Sequence, residues 1–315
     1  MNKSMRVLVT GGAGFIGSHI VDRLISDGFE VRIIDNLSTG RLENIQRHLG
    51  NGKADFIKGD IRNASLVRKS VDDVGVVVHL AALTSVPFSL ENPSLTFDVN
   101  LLGTLHLLRS SINEGVRKFV FVSSCSVCGE PESLPVTEEA QTNPISPYAE
   151  SKIAAERYCL GFQERGFLGS VVLRFFNVYG PRQGMNDYSG VITRFIDCCR
   201  QRLPLAIHGD GSQTRDFVSV YDTVEAVLAS IKRRDADGKV FNIGSGTPTS
   251  INELAKTVSE LAGVDLELSY EKSRDGDIKD SYADISRAKK ILGYEPKVCL
   301  RDGLRALLEE RKVAA

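Results

Sequence analysis

Tyr148 and Lys152 stand four residues apart, a spacing that puts two side chains on one face of a helix. A free tyrosine, with a pKa of about 10, is a poor base at neutral pH. An ammonium group and a cationic ring nearby would favour its phenolate and make it usable in proton transfer. Ser123-Ser124 closes the apolar run Phe119-Val120-Phe121-Val122. A hydroxyl at such a strand end could share a hydrogen bond with the substrate oxygen that the tyrosine deprotonates. Taken alone, the same residues also describe a half-exposed tyrosine beside a solvated lysine, and a turn or cap serine. What separates the two readings lies upstream.

The run Val7-Leu8-Val9 leads into Thr10-Gly11-Gly12-Ala13-Gly14-Phe15-Ile16-Gly17, and His19 to Ile25 carry apolar residues at helical spacing. A buried strand, a glycine turn and a helix N-terminus make an anion cradle, in which backbone N–H groups and the helix dipole meet a pyrophosphate. Gly12, Gly14 and Gly17 fit G-x-G-x-x-G, while Gly11, Gly14 and Gly17 fit G-x-x-G-x-x-G. The next strand-like run, Glu30 to Ile34, ends in Asp35, where such a unit places the acid for a ribose 2′-hydroxyl. Asp35 also suits a plain strand-end turn, but the set together indicates dinucleotide binding. A carboxylate there favours NAD over NADP, because it would repel a 2′-phosphate.

These residues need a scaffold, and the pattern supplies one. Strand-like segments at Ala54–Ile57, Val76–Leu80, Phe119–Val122 and Val171–Leu173 alternate with helical stretches beginning near Arg41, at Ser65–Val71, at Pro93–Glu114 and from Tyr148. Such alternation predicts an α/β fold with a doubly wound parallel (Rossmann) sheet, whose ligands bind beyond the strands' carboxyl ends. The second half is less regular. Helices are expected at Arg194–Arg200, through Val227, at Ile251–Ala262 behind a Ser250/Glu253 capping box, near Ser286–Leu292 and at Leu300–Arg311, with one more strand at Val240–Ile243. The expected division is a dinucleotide-binding domain over 1–180, with a return segment near 216–244, and a smaller α/β substrate lobe over 181–315. A cleft lies between them.

Bulk properties narrow the function. With 39 Lys+Arg against 40 Asp+Glu, the net charge of −1 gives no electrostatic footprint for nucleic acid or an anionic membrane. No apolar stretch spans a bilayer, and Met1-Asn2-Lys3-Ser4 leads into a strand rather than a signal peptide. Six cysteines are too few for a disulfide scaffold in 315 residues, and no second pair or histidine cluster completes a metal site around Cys125-x-x-Cys128. No metal and reduced thiols in a cytoplasmic protein are the expectation.

Thr10–Gly17, Asp35-Asn36-Leu37-Ser38-Thr39-Gly40, Gly59-Asp60, His79-Leu80-Ala81-Ala82, Ser123-Ser124, Tyr148-x-x-x-Lys152 and Arg174-Phe175-Phe176-Asn177-Val178-Tyr179-Gly180-Pro181 occur in order. Together they resemble the extended short-chain dehydrogenase/reductase family, within it the NAD-dependent nucleotide-sugar epimerases, and the UDP-glucose 4-epimerases above all. The resemblance implies that Ser124, Tyr148 and Lys152 are catalytic. Tyr148 takes the proton of the sugar's 4-hydroxyl while the C4 hydrogen passes to NAD⁺, and it returns to the opposite face after the 4-keto sugar turns over. It implies cofactor contacts from Gly11, Gly14, Phe15, Ile16, Gly17, Asp35, Asn36, Ser38, Gly40, Asp60, Ile61, Leu80, Ala81, Ala82, Asn100, Ser123, Tyr148 and Lys152. It implies substrate contacts from Thr84, Ser124, Tyr148, Asn177, Val191, Arg215, Arg274, Asp277 and Ser281, with the two arginines on the diphosphate. It also implies a homodimer through the helices near Pro93–Glu114 and from Tyr148.

The chain departs from the family pattern in places. Val127-Cys128-Gly129 replaces the usual Val-Tyr-Gly, which predicts altered packing rather than lost activity. Ser281, seven residues after Arg274, falls where some 4-epimerases carry a bulky aromatic residue, so the sugar pocket has room for an N-acetyl group. Cys125-Ser126 occupies the place where the family's dehydratases carry Asp-Glu, which removes the acid–base pair needed to eliminate water. A UDP-glucuronate 4-epimerase or decarboxylase fits the same motifs, because neutral groups can recognise a carboxylate. An NAD-sensing regulatory protein would dispense with the intact Ser124, Tyr148 and Lys152.

Overall fold

The structure, a computed structural model, describes residues 5–50, 52–184, 190–273 and 278–313. β1 (Arg6–Thr10) leads through the glycine turn to α1 (Phe15–Ser26), followed by β2 (Glu30–Asp35), β3 (Ala54–Lys58), α2 (Ala64–Val71) and β4 (Val76–His79). Next come α3 (Val86–Glu91), α4 (Pro93–Phe97), a wider helical turn at Asp98–Leu102, and α5 (Gly103–Asn113). β5 (Lys118–Ser124) runs into a tight turn at Cys125–Cys128, then α6 (Pro147–Glu164) and β6 (Gly169–Phe175). The remainder comprises β7 (Asn177–Tyr179), α7 (Val191–Gln201), β8 (Leu205–His208), β9 (Thr214–Ser219), α8 (Val220–Lys232) and β10 (Val240–Ile243). It ends with β11 (Pro248–Ser250), α9 (Ile251–Ala262), β12 (Leu268–Glu271), β13 (Asp280–Ser281) and α10 (Leu300–Val313).

Seven strands form one parallel sheet in the order β10-β6-β5-β4-β1-β2-β3. The order runs outward from β1 in both directions, which opens a crevice at the carboxyl ends of β1 and β4. Successive residues of β1 feed opposite faces: Val7 and Val9 join one apolar layer with Ile20 and Leu24, and Leu8 joins the other with Val77, Phe119 and Phe121. β4 is buried at every position, as a central parallel strand must be. A third core, built on Phe195, Ile196, Leu254, Val258 and Leu304, belongs to α7, α9 and α10. The doubly wound α/β fold is thus as read from the sequence.

Two local features place the chemistry. Ser146 caps α6 by accepting a hydrogen bond from Ala149 N at 3.2 Å, and Pro147 opens the first turn, so Tyr148 sits at the helix start. The Ser250/Glu253 capping box also forms, with Glu253 N donating to Ser250 Oγ at 3.1 Å and Ser250 N donating to Glu253 Oε2 at 2.9 Å.

Some expected elements differ. The helix from Arg41 is two single turns, Leu42–Asn44 and Gln46–His48, because Ile45 is the one fully buried anchor there. The Pro93–Glu114 helix is composite. β7, β8, β11, β12 and β13 are two to four residues long and were not distinguished; β8 and β12 pair with each other in parallel, away from the main sheet. Among the described residues no helix is long and apolar enough to cross a membrane, and no cluster could hold a metal ion.

Candidate active site

The carboxyl ends of β1, β2, β4, β5 and β6 open on a cavity of about 520 Å³. Gly11, Gly14, Phe15, Ile16 and Gly17 line it from the turn and α1; Asp35, Asn36 and Ser38 from the end of β2; Asp60 and Ile61 from the end of β3. Leu80, Ala81, Ala82 and Thr84 contribute from the loop after β4, Ser123 and Ser124 from β5, and Tyr148 and Lys152 from α6.

Geometry separates the two glycine spacings. Gly11, at φ +69°, lies so close to the loop after β4 that a Cβ would stand 2.9 Å from Ala81 N, and a Cβ on Gly17 would meet Gly11 O at 2.1 Å. Gly12 does not line the cavity and packs instead beneath Ile33 and Val21. The positive end of α1 carries no side-chain cap and no acidic residue in its first turn, which suits an incoming diphosphate. Ser123 Oγ is buried without a partner among the described residues. An uncapped helix end, an orphaned hydroxyl and a cavity of this size fit a dinucleotide.

Asp35 is clamped. Ala13 N donates to its Oδ2 at 3.0 Å and Leu37 N to its Oδ1 at 2.8 Å, which leaves further lone pairs toward the cavity. Gly40 stays off the cavity wall, but a Cβ there would lie 2.9 Å from both carboxylate oxygens. Asp60 is held down to about 2, first by its bond from Arg62, and Asn36 Nδ2 donates to it at 3.2 Å.

Burial dominates the Tyr148–Lys152 pair. It pushes Tyr148 up to about 12, against a hydrogen bond with Ser124 that pulls the other way. Lys152, drawn down to about 8 by burial with Glu156 opposing, donates from Nζ to Val122 O at 2.9 Å and lies 4.9 Å from the centroid of the Phe121 ring. Burial is thus the largest influence on the phenol in the protein alone, whereas the expectation from the sequence joins the lysine ammonium to a cationic ring beside it. One turn beyond Lys152, Glu156 is gripped by Arg174 of β6 at 3.0 and 2.8 Å, a fully enclosed ion pair that fastens α6 to the sheet. Cys128 lies within the field of that pair.

The remaining predicted residues that the structure describes lie outside the cavity wall. Asn100 is buried behind it, accepting from Leu83 N at 2.8 Å and donating to Leu83 O and Ser151 Oγ, so it braces the wall and α6. Asn177 falls between the lining residues Phe176 and Val178, and Val191 opens α7. Arg215 and Ser281 face each other in register across β9 and β13, with Arg215 Nη1 donating to Thr214 O at 2.8 Å and to Lys279 O at 3.2 Å. The charge of Arg215 also acts on the Cys125 thiol, beside Ser124. Arg274 and Asp277 lie outside the described residues.

Sequence reading missed Phe175, Phe176 and Gln183 in the wall. It also missed a hydroxyl–imidazole relay. Thr10 Oγ1 accepts from Leu80 N and Ala81 N and stands 2.7 Å from His79 Nδ1, and His79 Nε2 stands 2.8 Å from Thr104 Oγ1. Burial drives His79 down to about 3, so it is neutral and fixes the loop over the cavity. The available signal was a histidine ending a fully apolar strand.

Comparison with known proteins fits this geometry. Residues 7–244 match the model of the NAD dependent epimerase/dehydratase family. A putative UDP-glucose 4-epimerase of Methanocaldococcus jannaschii is 42% identical over 308 residues, covering 97% of this chain and 98% of that one. Among solved structures, UDP-glucose 4-epimerase of Thermotoga maritima with UDP-glucose is 41% identical at a TM-score of 0.93, covering 99% and 100% of the two chains. UDP-N-acetylglucosamine 4-epimerase of Methanobrevibacter ruminantium is 38% identical at 0.93, with the same coverage. UDP-glucuronic acid 4-epimerase of Bacillus cereus, with UDP-glucuronic acid and NAD, is 34% identical at 0.92, again covering 99% and 100%.

Proposed function

This chain belongs to the NAD dependent epimerase/dehydratase family, among its UDP-sugar epimerases, and on that premise we propose that it inverts C4 of a UDP-hexose, interconverting UDP-glucose and UDP-galactose. The observation that carries the reading is one cavity walled by Ser124, Tyr148 and Lys152 at one end and by the open N-terminus of α1 and Asp35 at the other. NAD is the cofactor, and bound there it supplies a reversible two-electron oxidant for the sugar carbon, restored in each cycle. Gly11, Gly14 and Gly17 let the backbone approach its diphosphate, and Asp35 receives the ribose hydroxyls.

Tyr148 Oη holds the proton exchanged with the sugar's O4, and Ser124 orients that oxygen through the hydrogen bond it shares with Tyr148. Burial favours the neutral phenol, so formation of the phenolate calls for positive charge beside it. Lys152 holds α6 against β5 through Val122 O. Arg215, with Arg274, is assigned to the substrate diphosphate, and Thr84, Asn177, Val191, Asp277 and Ser281 to the uridine and sugar. A dinucleotide lobe over 1–180, with a return segment near 216–244, and a sugar lobe over 181–315 belong to the same proposal, as does a reducing, cytoplasmic setting.

The test is incubation with UDP-glucose, UDP-N-acetylglucosamine and UDP-glucuronate without added NAD, followed by separation of C4 epimers. Epimer formation from UDP-glucose is expected, and none from any of the three would end the reading. Tyr148→Phe should abolish turnover with NAD still bound. The acetylated sugar is expected to turn over as well, because Ser281 is small and in register with Arg215; Ser281→Tyr should remove that activity and spare UDP-glucose.

A further inference from the structure

Helix α1 presents Phe15, His19 and Asp22 along one side, and the second half of that side grips the turn that enters the sugar lobe. His19, kept neutral by burial, stands with Nε2 3.1 Å from Pro181 O. Its ring meets Phe15 and Tyr221 edge-on. Asp22 Oδ2 receives Arg182 Nη2 at 2.7 Å and Arg47 Nη2 at 2.5 Å, and its Oδ1 lies 2.6 Å from His48 Nε2. One carboxylate thus joins three segments: the cofactor helix, the turn at Gln46–His48 and the turn at Pro181–Gln183.

Arg182 has φ +64°, a left-handed conformation that a non-glycine residue holds only when its surroundings impose it. The residue it delivers, Gln183, lines the cavity. Gln183 is tied to the second lobe by two bonds, Thr193 Oγ1 donating to its Oε1 at 3.0 Å and Arg311 Nη2 to its carbonyl at 3.2 Å, and to β7 by its Nε2, which donates to Val178 O at 3.4 Å. The turn is therefore held from α1 on one side and from α7 and α10 on the other. Without the Asp22 charge, the Arg47 and Arg182 guanidinium groups that now share it would repel each other.

We propose that Asp22 is a positioning residue for the sugar half of the cavity: it holds Arg182 on the cofactor helix and so sets the turn that presents Gln183 beside Phe176 and Val178. The inference deepens the UDP-sugar reading and rests on it. Asp22 does not line the cavity, so its loss should weaken sugar binding without emptying the cofactor site.

In the NAD-loaded protein, Asp22→Asn should raise KM and the calorimetric Kd for UDP-glucose about tenfold, with kcat changed less than about twofold and NAD content unchanged. Amide hydrogen exchange across 178–184 should quicken in the same variant. Asp22→Glu should recover most of the affinity, and Arg47→Ala, which leaves the Arg182 bond in place, should behave as the unsubstituted protein does. Unchanged KM and unchanged exchange in Asp22→Asn would overturn the proposal, as would a lowered Tm alone. If Asp22→Asn does not fold, Arg182→Met must show the same KM and exchange changes, or the proposal fails. Failure of the unsubstituted protein to bind UDP-glucose would instead remove the functional reading, and the exchange measurement would still decide whether Asp22 sets the turn.

Discussion

At the residue scale, the site is governed by desolvation opposed by a few well-placed partners. Tyr148 is held up to about 12 by burial, so phenolate formation depends on positive charge beside it. Ultraviolet titration should find the phenolate appearing at lower pH in the NAD⁺-loaded protein than in the NAD-free protein; identical titrations would contradict the electrostatic account. Lys152 falls from an ordinary 10.5 to about 8, so below pH 8 the folded state carries a charge that burial disfavours. As pH rises from 8 toward 10.5 the folded form sheds its proton before the unfolded form does, and that penalty fades. Lys152→Met should therefore stabilise the protein at pH 7, on the order of 1–3 kcal/mol, with the gain shrinking above pH 8 while turnover is lost. Glu156→Gln does the reverse. It leaves Arg174 enclosed without its counter-charge and should cost about 3–5 kcal/mol in urea unfolding, whereas replacing both partners by apolar residues should cost far less.

At the element scale, the unit β1–glycine turn–α1 sets the cofactor end, and its tolerances are steric. Gly17→Ala places a methyl group against the Gly11 carbonyl, a clash of backbone that no rotamer relieves. The variant should lose bound NAD and about 1–3 kcal/mol of stability, measured by cofactor absorbance and thermal unfolding. The elements themselves were legible where burial is continuous: Val76–Val78 and Phe119–Val122 sit between two helical layers and read as unbroken apolar runs. Arg41–His48 was misread as a helix because backbone propensity is cheap to satisfy locally, and a lone buried Ile45 gives a longer helix nothing to pack on.

At the scale of the whole molecule, α5 and α6 pack side by side, and Leu102, just before α5, and Tyr158 of α6 are each about half exposed. A second copy covering them is the assembly the family resemblance implies. Sedimentation should show a dimer that Leu102→Glu with Tyr158→Glu converts to a monomer, and a monomeric unsubstituted protein would exclude it. By itself the sequence determined the sheet, the glycine cradle, Asp35 and the Tyr148–Lys152 pair, because each follows from spacing within one strand, turn or helix. Only the tertiary structure decided which glycines line the cavity, that Tyr148 and Lys152 are both desolvated, that Asn100 braces the wall rather than lining it, and that Asp22 reaches Arg182 across 160 residues. Those outcomes depend on burial and on contacts between segments far apart in the chain, and neither is written in the spacing of neighbouring residues.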